Sequence, residues 1–235
     1  MNPELWNSYY SRISADLGFS MQDDYLSSLL LSGILGDRSR LSLLHDYSAA
    51  SIMVVGNAAS MPDDLARMHG DMSIVADSAL PAYMDLMSYP EIVVTDLDGS
   101  IAKIEEASAG GSLLVVHAHG DNMDKIRENQ QLLSGRVLGT TQNSPLWNVY
   151  NFYGFTDGDR AAFLADYLGA ETILLAGFDF EHPNLKPGQD MERKLKKLKW
   201  TRKLLQELAA ERGRTLPDTG GLSRWKPACC TCAWR

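Results

Sequence analysis

The segment Glu91–Ile101, EIVVTDLDGSI, joins an apolar run to an acidic turn. Ile92–Val94 has the β-branched composition of a buried strand, and it is followed by Asp96 and Asp98, after which a Gly-Ser pair opens a helical pattern. Carboxylates in this position are typical of a Mg²⁺ site and also of a nucleophilic aspartate with an acid/base partner. The segment therefore predicts a strand that ends at a site of enzymatic chemistry.

Apolar runs of the same kind alternate with helical segments through the middle of the chain. The predicted strands are Ile52–Val55, Ser73–Ala76, Ile92–Thr95, Leu113–His117, Arg136–Gly139 and Thr172–Ala176. The helices predicted between them are Pro62–Met68, Leu80–Met87, Ile101–Ala107, Met123–Leu133 and Gly158–Leu168. Strands that alternate with helices form a parallel sheet covered on both faces. We therefore predict a three-layer α/β fold with a mostly parallel central sheet of about six strands.

The flanking segments predict the domain organisation. Two helices near Pro3–Leu17 and Met21–Leu35 precede the first strand, and an amphipathic basic helix follows the last strand from about Asp190 to Arg212. We expect a small N-terminal helical cap, an α/β catalytic domain that ends in the basic helix, and a disordered tail, at residues 1–45, 46–212 and 213–235 respectively.

Composition and charge exclude several classes of partner. The 235 residues carry 22 basic and 30 acidic side chains, so the net charge is −8 and nucleic acid is not an expected partner. No apolar run reaches the roughly 20 residues of a membrane span, so no membrane partner is expected. The cysteines are Cys229, Cys230 and Cys232, and a body without cysteine is typical of a cytoplasmic protein. Assembly of the chain into a homo-oligomer stays open as an alternative.

The residues that follow the predicted strands are polar and acidic. In an open parallel sheet, ligands bind in the crevice beyond the carboxyl ends of the strands. The segments at these positions are GNAAS (56–60), DSA (77–79), TDLDG (95–99), HAHGDN (117–122), GTTQN (139–143) and GFDF (177–180). Their convergence predicts one binding site at this edge of the sheet.

Strand order argues against the nucleophilic aspartate. Haloacid-dehalogenase phosphatases carry their paired aspartates after the first strand of the catalytic domain, whereas two predicted strands precede Asp96 and Asp98. A catalytic lysine at the required place is not evident, because Lys103 falls directly in the following helix. We therefore favour a metal site, and a role for both aspartates as turn formers stays open.

Further along the chain, several segments offer ligands for a metal or for phosphate. HAHGDN places His117, His119 and Asp121 at alternate positions, which suits a metal, phosphate or, for one histidine, a purely structural role. GNAAS suits close approach of phosphate to backbone N–H groups, and an ordinary strand–helix turn is equally open. No Gly-Lys pair exists, so a P-loop is excluded.

The segment Asn151–Ala170 adds carboxylates and a cation. Thr156 or Asp157 can cap the helix that follows, whereas Asp159 and Arg160 do not share that explanation. With the first two aspartates they supply what a Mg²⁺-polyphosphate site needs. On the last helix, Lys194 and Lys197 share one side, and contact with phosphate or with solvent is about equally open.

In this order, the motifs VTDLDG, VHAHGDN, GTTQN, GFTDGDRA, AGFDF and KLKKLKW resemble those of the archaeal-type 6-hydroxymethyl-7,8-dihydropterin pyrophosphokinases. The resemblance runs from about Trp6 to Arg212, and it departs at GNAAS, where relatives often carry a GPS-type loop. It implies a fold akin to the catalytic domain of thiamine pyrophosphokinases. It also implies Mg²⁺-dependent transfer of diphosphate from ATP to the hydroxymethyl group of a reduced pterin, with release of AMP.

The resemblance implies that the first acidic pair, Asp96 and Asp98, and the second pair, Asp157 and Asp159, bind the metal. The expected catalytic residues are Asp96, Asp98, Asp121 and Asp159. The residues expected to contact ATP are Gly56, Asn57, Ser60, His119, Arg160, Lys194 and Lys197. A carboxylate or His119 is expected to accept the alcohol proton.

The pterin subsite is predicted by position. Its candidates are Asp77, Asn122, Thr140, Gln142 and Phe155, with Phe178 as a second stacking surface. A carboxylate or an amide can match the adjacent N–H groups of the pterin edge, and an aromatic ring can stack on its face. Transfer to another acceptor such as thiamine, and a non-catalytic nucleotide-binding module, stay open as alternatives.

Overall fold

The structure, a computed structural model, describes residues 1–185 and 188–213 and the strand at 223–224. The predicted tail at 213–235, with its three cysteines, lies outside the described residues except for Gly213 and the backbone of that strand.

Eight helices and eight strands make up the described part of the chain. The helices are α1 (Pro3–Leu17), α2 (Met21–Leu35), α3 (Met61–Arg67), α4 (Leu80–Leu86), α5 (Ile101–Ala109), α6 (Met123–Glu128), α7 (Asp157–Tyr167) and α8 (Met191–Glu211). The strands are β1 (Ser51–Val55), β2 (Met72–Ala76), β3 (Ile92–Thr95), β4 (Leu113–Ala118), β5 (Val137–Thr141), β6 (Val149–Tyr150), β7 (Thr172–Ala176) and β8 (Ser223–Arg224). Short 3₁₀ turns connect several of these elements.

The strands form one sheet, whose order within the described residues is β6-β5-β4-β3-β2-β1-β7-β8. Strands β1 to β7 are parallel, and β8 pairs antiparallel with β7. The α/β prediction is confirmed. The sheet has seven parallel strands rather than about six, because β6 is a two-residue strand too short to produce an apolar run.

The strand order places a topological switch point beside β1. The chain moves outward from β1 through β2 to β6 and then returns to the opposite side of β1 as β7. Loops that leave β1 and β7 therefore diverge in opposite directions, and a crevice opens between them at the carboxyl edge of the sheet.

Helices cover both faces of the sheet, and alternate strand residues enter two cores. Ile52 and Val54 pack with α1, α7 and α8, whereas Met53 and Val55 pack with helices α2 to α6. The two helices predicted as an N-terminal cap therefore lie on opposite faces of the sheet. No helix in the described residues is both long enough and apolar enough to cross a lipid bilayer.

The turn between α1 and α2 is fixed by standard capping interactions. Gly18 ends α1 with a left-handed φ of 70°, and the Ser20 hydroxyl caps α2 by accepting the Asp23 N–H at 3.1 Å. Phe19 lies between them, and this short turn carries its ring to the carboxyl edge of the sheet, where the site is found.

Candidate active site

A cavity opens at the carboxyl ends of the strands, beside the switch point. The predicted site residues that line it are Gly56, Asn57, Asp96, Asp98, His119, Asp121, Gln142, Phe155, Asp157, Arg160, Lys194 and Lys197. Ser60, Asp77, Asn122, Thr140 and Asp159 are not among its lining residues. Strand-end segments thus converge as the sequence indicates, and α7 and α8 complete the wall.

Three carboxylates in this region lie close enough to share one cation. One oxygen from each of Asp77, Asp96 and Asp157 lies within 4.8 Å of the other two. Asp77 follows β2, Asp96 follows β3, and Asp157 begins α7, which packs against both strands. Asp98 lines the same cavity. We call Asp77, Asp96 and Asp157 the aspartate triad.

The charges of the aspartate triad are concentrated and partly buried. Burial, and after it the charge of Asp96, raises the pKa of Asp157 well above its ordinary value, and Arg160 opposes this rise. For Asp96, burial also opposes ionisation, but the hydrogen bond from His119 and the charge of Arg160 hold the pKa below its ordinary value. Carboxylate oxygens that repel one another in this way fit a hard divalent cation such as Mg²⁺.

The turn after β3 holds the triad together. The Thr95 hydroxyl donates to Asp77 Oδ2 at 2.6 Å, and the Leu97 N–H donates to the Thr95 hydroxyl oxygen at 2.8 Å. Leu97 adopts a left-handed φ of 64° and is buried. A Cβ atom at Gly99 would overlap the Asp77 carboxylate, so this position requires glycine. The motif TDLDG is therefore a packed turn that presents Asp96.

His119 and Asn122 connect the ends of β3 and β4. His119 Nε2 lies 3.1 Å from Asp96 Oδ2, and its Nδ1 accepts the Asp121 N–H at 3.2 Å. Asn122 Nδ2 donates to the carbonyl oxygens of Asp96 at 2.9 Å and His117 at 2.7 Å. The Asn122 amide is engaged within the protein, and the structure does not bring it to the cavity as a pterin contact.

His117 and Thr140 lie behind the cavity. Both are buried, and His117 Nδ1 lies 3.2 Å from the Thr140 hydroxyl oxygen. Burial, assisted by the charge of Arg160, lowers the pKa of His117 well below its ordinary value, so this imidazole is neutral. Gln142 reaches the cavity wall, while its amide nitrogen donates to Asp24 Oδ2 at 2.6 Å.

The start of α7 separates two aspartates that were both expected to bind the metal. Asp159 accepts the N–H groups of Phe155 at 2.8 Å and Thr156 at 2.7 Å, and it also accepts the Thr156 hydroxyl. It is the third helical residue of a capping box and is fully buried. Asp157 instead belongs to the aspartate triad. The structure therefore does not bring Asp159 to the cavity as a metal ligand.

Arg160 lies beneath the triad and is largely engaged. Its Nη1 donates to Asp157 Oδ1 at 3.0 Å, and its Nη2 donates to the Phe155 carbonyl oxygen at 2.7 Å. Lys197 of α8 is half-buried in the cavity wall, and Lys194 lies one turn before it. Burial and the charge of Arg193 lower the pKa of Lys197, whereas Asp96, Asp121 and Asp157 oppose that decrease. The charge of Lys197 therefore lies near these carboxylates, and Lys194 lines the same cavity.

The loop after β1 is not a phosphate cradle in the expected form. The N–H groups of Gly56 and Ala58 donate to the carbonyl oxygens of Ala176 and Gly177, each at 2.8 Å. The Ser60 hydroxyl donates to Asp64 at 2.9 Å. The two N–H groups join the loop to the end of β7, and the Ser60 hydroxyl is engaged with α3. Of the three predicted residues, only Asn57 therefore keeps a side chain at the cavity.

The cavity also has walls that the predictions did not include. Phe19 enters from the turn between α1 and α2, and Phe180 and Asn184 enter from the loop after β7. The motif GFDF had indicated the first part of that loop as a segment after a strand. No sequence pattern indicates that Phe19 lies beside Phe155, although their ring centroids are 6.0 Å apart.

Comparison with known proteins identifies the family. A family model described as "6-hydroxymethylpterin diphosphokinase MptE-like" matches residues 34–184, a range that contains the aspartate triad and the loop after β7. This chain belongs to the MptE-like family. The resemblance that the motifs indicate is thereby confirmed.

Curated relatives of this MptE-like protein carry one common name. Three archaeal proteins called 6-hydroxymethyl-7,8-dihydropterin pyrophosphokinase match it. The protein of Pyrococcus furiosus is 40% identical, covering 88% of this chain and 94% of the relative. That of Methanothermobacter thermautotrophicus is 40% identical, covering 77% and 79%. That of Methanocaldococcus jannaschii is 33% identical, covering 88% and 96%.

Proposed function

We propose that this MptE-like enzyme transfers the terminal diphosphate of ATP to the hydroxymethyl group of 6-hydroxymethyl-7,8-dihydropterin. The observation that carries the proposal is the aspartate triad at the switch point of the sheet, beside a cavity that Asp96, Asp157, Lys194 and Lys197 line. The curated relatives are named for this activity, and their similarity extends over most of this chain. A metal-bound polyphosphate requires carboxylates that bind the metal and cationic side chains that contact the phosphate oxygens.

In the proposed reaction, the alcohol oxygen of the pterin forms a bond to the β-phosphorus of ATP. The bond between that phosphorus and the oxygen bridging to the α-phosphorus breaks, and the electron pair leaves with AMP. The alcohol proton passes to a base. Catalysis of such a transfer is mainly alignment and charge stabilisation.

The aspartate triad would hold Mg²⁺, with Asp98 on the same side of the cavity. When bound, the cation would offset negative charge on the polyphosphate oxygens. The protein itself contributes the orientation of the ligands, because Thr95 fixes Asp77, His119 contacts Asp96 and Arg160 fixes Asp157. Arg160 therefore acts on the triad, and we assign the polyphosphate contacts to the two lysines.

Proton acceptance falls to a carboxylate in this proposal. Asp98 and Asp121 line the cavity outside the triad. Both nitrogens of His119 are engaged with Asp96 and with the Asp121 N–H, so His119 has no free base position. A strong base is unnecessary, because the alcohol becomes acidic only as the new bond forms.

The flat ring of the acceptor is proposed to lie at the end of the cavity formed by the loops after β1 and β7. Phe178 and Phe180 lie there with ring centroids 6.3 Å apart, and Asn57 and Asn184 provide amide groups beside them. Aromatic faces and amides match a flat heterocycle with hydrogen-bonding edges. Asp77, Asn122, Thr140 and Gln142, predicted for this role, instead bond to neighbouring protein groups.

A nucleotide product assay tests the proposal. The protein is incubated with Mg²⁺, ATP and 6-hydroxymethyl-7,8-dihydropterin, and AMP is resolved from ADP. Pterin-dependent AMP is expected, and it should disappear when EDTA is added. ADP would contradict diphosphate transfer, and AMP formed with thiamine but not with the pterin would contradict the acceptor.

A further inference from the structure

We propose that His119 is a positioning residue that orients Asp96 for cation binding by donating a hydrogen bond from Nε2 to that carboxylate. This inference rests on the metal site of the proposed function. It changes the role predicted from sequence, in which His119 contacts ATP or accepts a proton.

The tautomer follows from the two hydrogen bonds of the ring. The Asp121 N–H can only donate, and it points at Nδ1 over 3.2 Å, so Nδ1 carries a lone pair. A neutral imidazole with a free lone pair on Nδ1 carries its proton on Nε2. Nε2 lies 3.1 Å from Asp96 Oδ2, and the hydrogen bond therefore runs from His119 to Asp96.

The backbone beneath the ring is anchored on two sides. Asn122 Oδ1 accepts the His119 N–H at 3.0 Å, and the same amide holds the carbonyl oxygen of Asp96. The next residue, Gly120, donates its N–H to Asp24 Oδ1 of α2 at 2.7 Å. One side chain thus fixes the main chains of both His119 and Asp96, and α2 holds the loop from the other direction.

The second oxygen of Asp96 is also held. Asp96 Oδ1 accepts the Asp98 N–H at 3.1 Å, so each carboxylate oxygen receives one donor. An ionised carboxylate offers about four lone-pair positions, which leaves two for a cation. The two donors set the plane of the carboxylate, and His119 supplies one of them. Removing such a hydrogen bond to a metal ligand typically weakens metal binding about tenfold to hundredfold.

Two substitutions separate the two hydrogen bonds of the ring. His119→Gln keeps an N–H donor near the position of Nε2, whereas His119→Asn keeps an acceptor near Nδ1 and loses the donor to Asp96. Mn²⁺ binding is measured by electron paramagnetic resonance on the full chain without nucleotide or pterin. We expect affinity in His119→Asn to decrease about tenfold to hundredfold and His119→Gln to stay near wild type.

Matched controls are available at His69, an exposed residue at the amino ends of the strands. His69→Asn and His69→Gln should leave Mn²⁺ affinity unchanged. Two-bond ¹H–¹⁵N spectra of the wild type should show His119 Nδ1 without a proton.

Several results would overturn the assignment. These are equal loss of Mn²⁺ affinity in both His119 variants, no loss in either, or a protonated Nδ1. ATP affinity is also measured in EDTA, where no divalent cation is bound. If it falls in His119→Asn alone, His119 contacts the phosphates of ATP, as predicted from the sequence, and the positioning role is wrong. Asp96→Asn is the separate control for the metal site: if it leaves Mn²⁺ affinity unchanged, the proposed metal site fails, whatever the His119 variants show.

Discussion

Arg160 Nη1 donates a 3.0 Å hydrogen bond to Asp157 Oδ1, and this pair turns one of the two aspartates at the start of α7 toward the cavity. Asp159, two residues later, is turned away and closes the capping box with Thr156. Neighbouring carboxylates of the same motif therefore have different surroundings. Asp157 lines the cavity, and Asp159 bonds to the helix terminus.

Substitution of each aspartate by asparagine should separate these functions. Asp159→Asn converts one of the two acceptor oxygens into a donor that faces the N–H group of either Phe155 or Thr156, so we expect the free energy of unfolding to fall by about 1–3 kcal/mol. Mn²⁺ affinity should remain. Asp157→Asn should lose Mn²⁺ affinity and AMP formation. Urea titration and Mn²⁺ binding measure both properties, and loss of Mn²⁺ binding in a folded Asp159→Asn protein would contradict the division.

Lysine substitutions on α8 should act on ATP binding. Lys194→Met and Lys197→Met each remove a cation from the cavity wall, and we expect KM for ATP to rise about tenfold to hundredfold. Lys203→Met is the matched control on the same helix, because Lys203 Nζ lies 5.4 Å from the centre of the Tyr9 ring. Steady-state kinetics at varied ATP concentration test this, and equal effects at all three positions would count against specific contacts.

The loops after β1 and β7 lie too close together at the switch point to accommodate a side chain at residue 56. A Cβ atom on Gly56 would lie 2.6 Å from the Gly177 carbonyl oxygen, which is part of the backbone and cannot move aside alone. We expect Gly56→Ala to destabilise the fold and to reduce turnover. Gly33→Ala, at an open position in α2, should be neutral or stabilising by up to about 1 kcal/mol. Thermal unfolding compares the two, and equal melting temperatures would refute the crowding.

The buried His117 should make stability depend on pH. Its pKa is lowered in the fold, so the unfolded chain binds a proton first, below about pH 6.5, and stability decreases as the pH falls. His117→Gln removes this contribution. Between about pH 7 and pH 5, the free energy of unfolding should therefore decrease more steeply in the wild type than in the variant. Parallel slopes in urea titrations would show that His117 is not neutral in the fold.

Much of the fold follows from local patterns in the sequence. The bounds predicted for the first two helices, Pro3–Leu17 and Met21–Leu35, agree with the structure because each helix starts at a capping side chain. The six predicted strands were found because strands buried on both faces are continuously apolar. The edge strand β6 was missed because two residues produce no periodicity.

The site was predicted less completely, for reasons of three-dimensional geometry. Strand ends indicated that Asp96 reaches the crevice, and the basic side of the last helix indicated Lys197; both line the cavity. Asp159, expected as a metal ligand without a capping role, instead completes the capping box of Thr156. The sequence carries this T-x-x-D pattern, and the prediction did not use it. Asp77 was predicted as a pterin contact. Its place beside Asp96 and Asp157 depends on the hydrogen bond from Thr95, which only the three-dimensional structure shows.

The central claim is the transfer of the diphosphate as one unit, and ATP labelled at the β-phosphorus tests it most directly. With Mg²⁺ and 6-hydroxymethyl-7,8-dihydropterin, the label should appear in the pterin product, while AMP carries none. In Asp96→Asn, no label should leave ATP. Label that appears in ADP, with an unlabelled pterin product, would contradict the account.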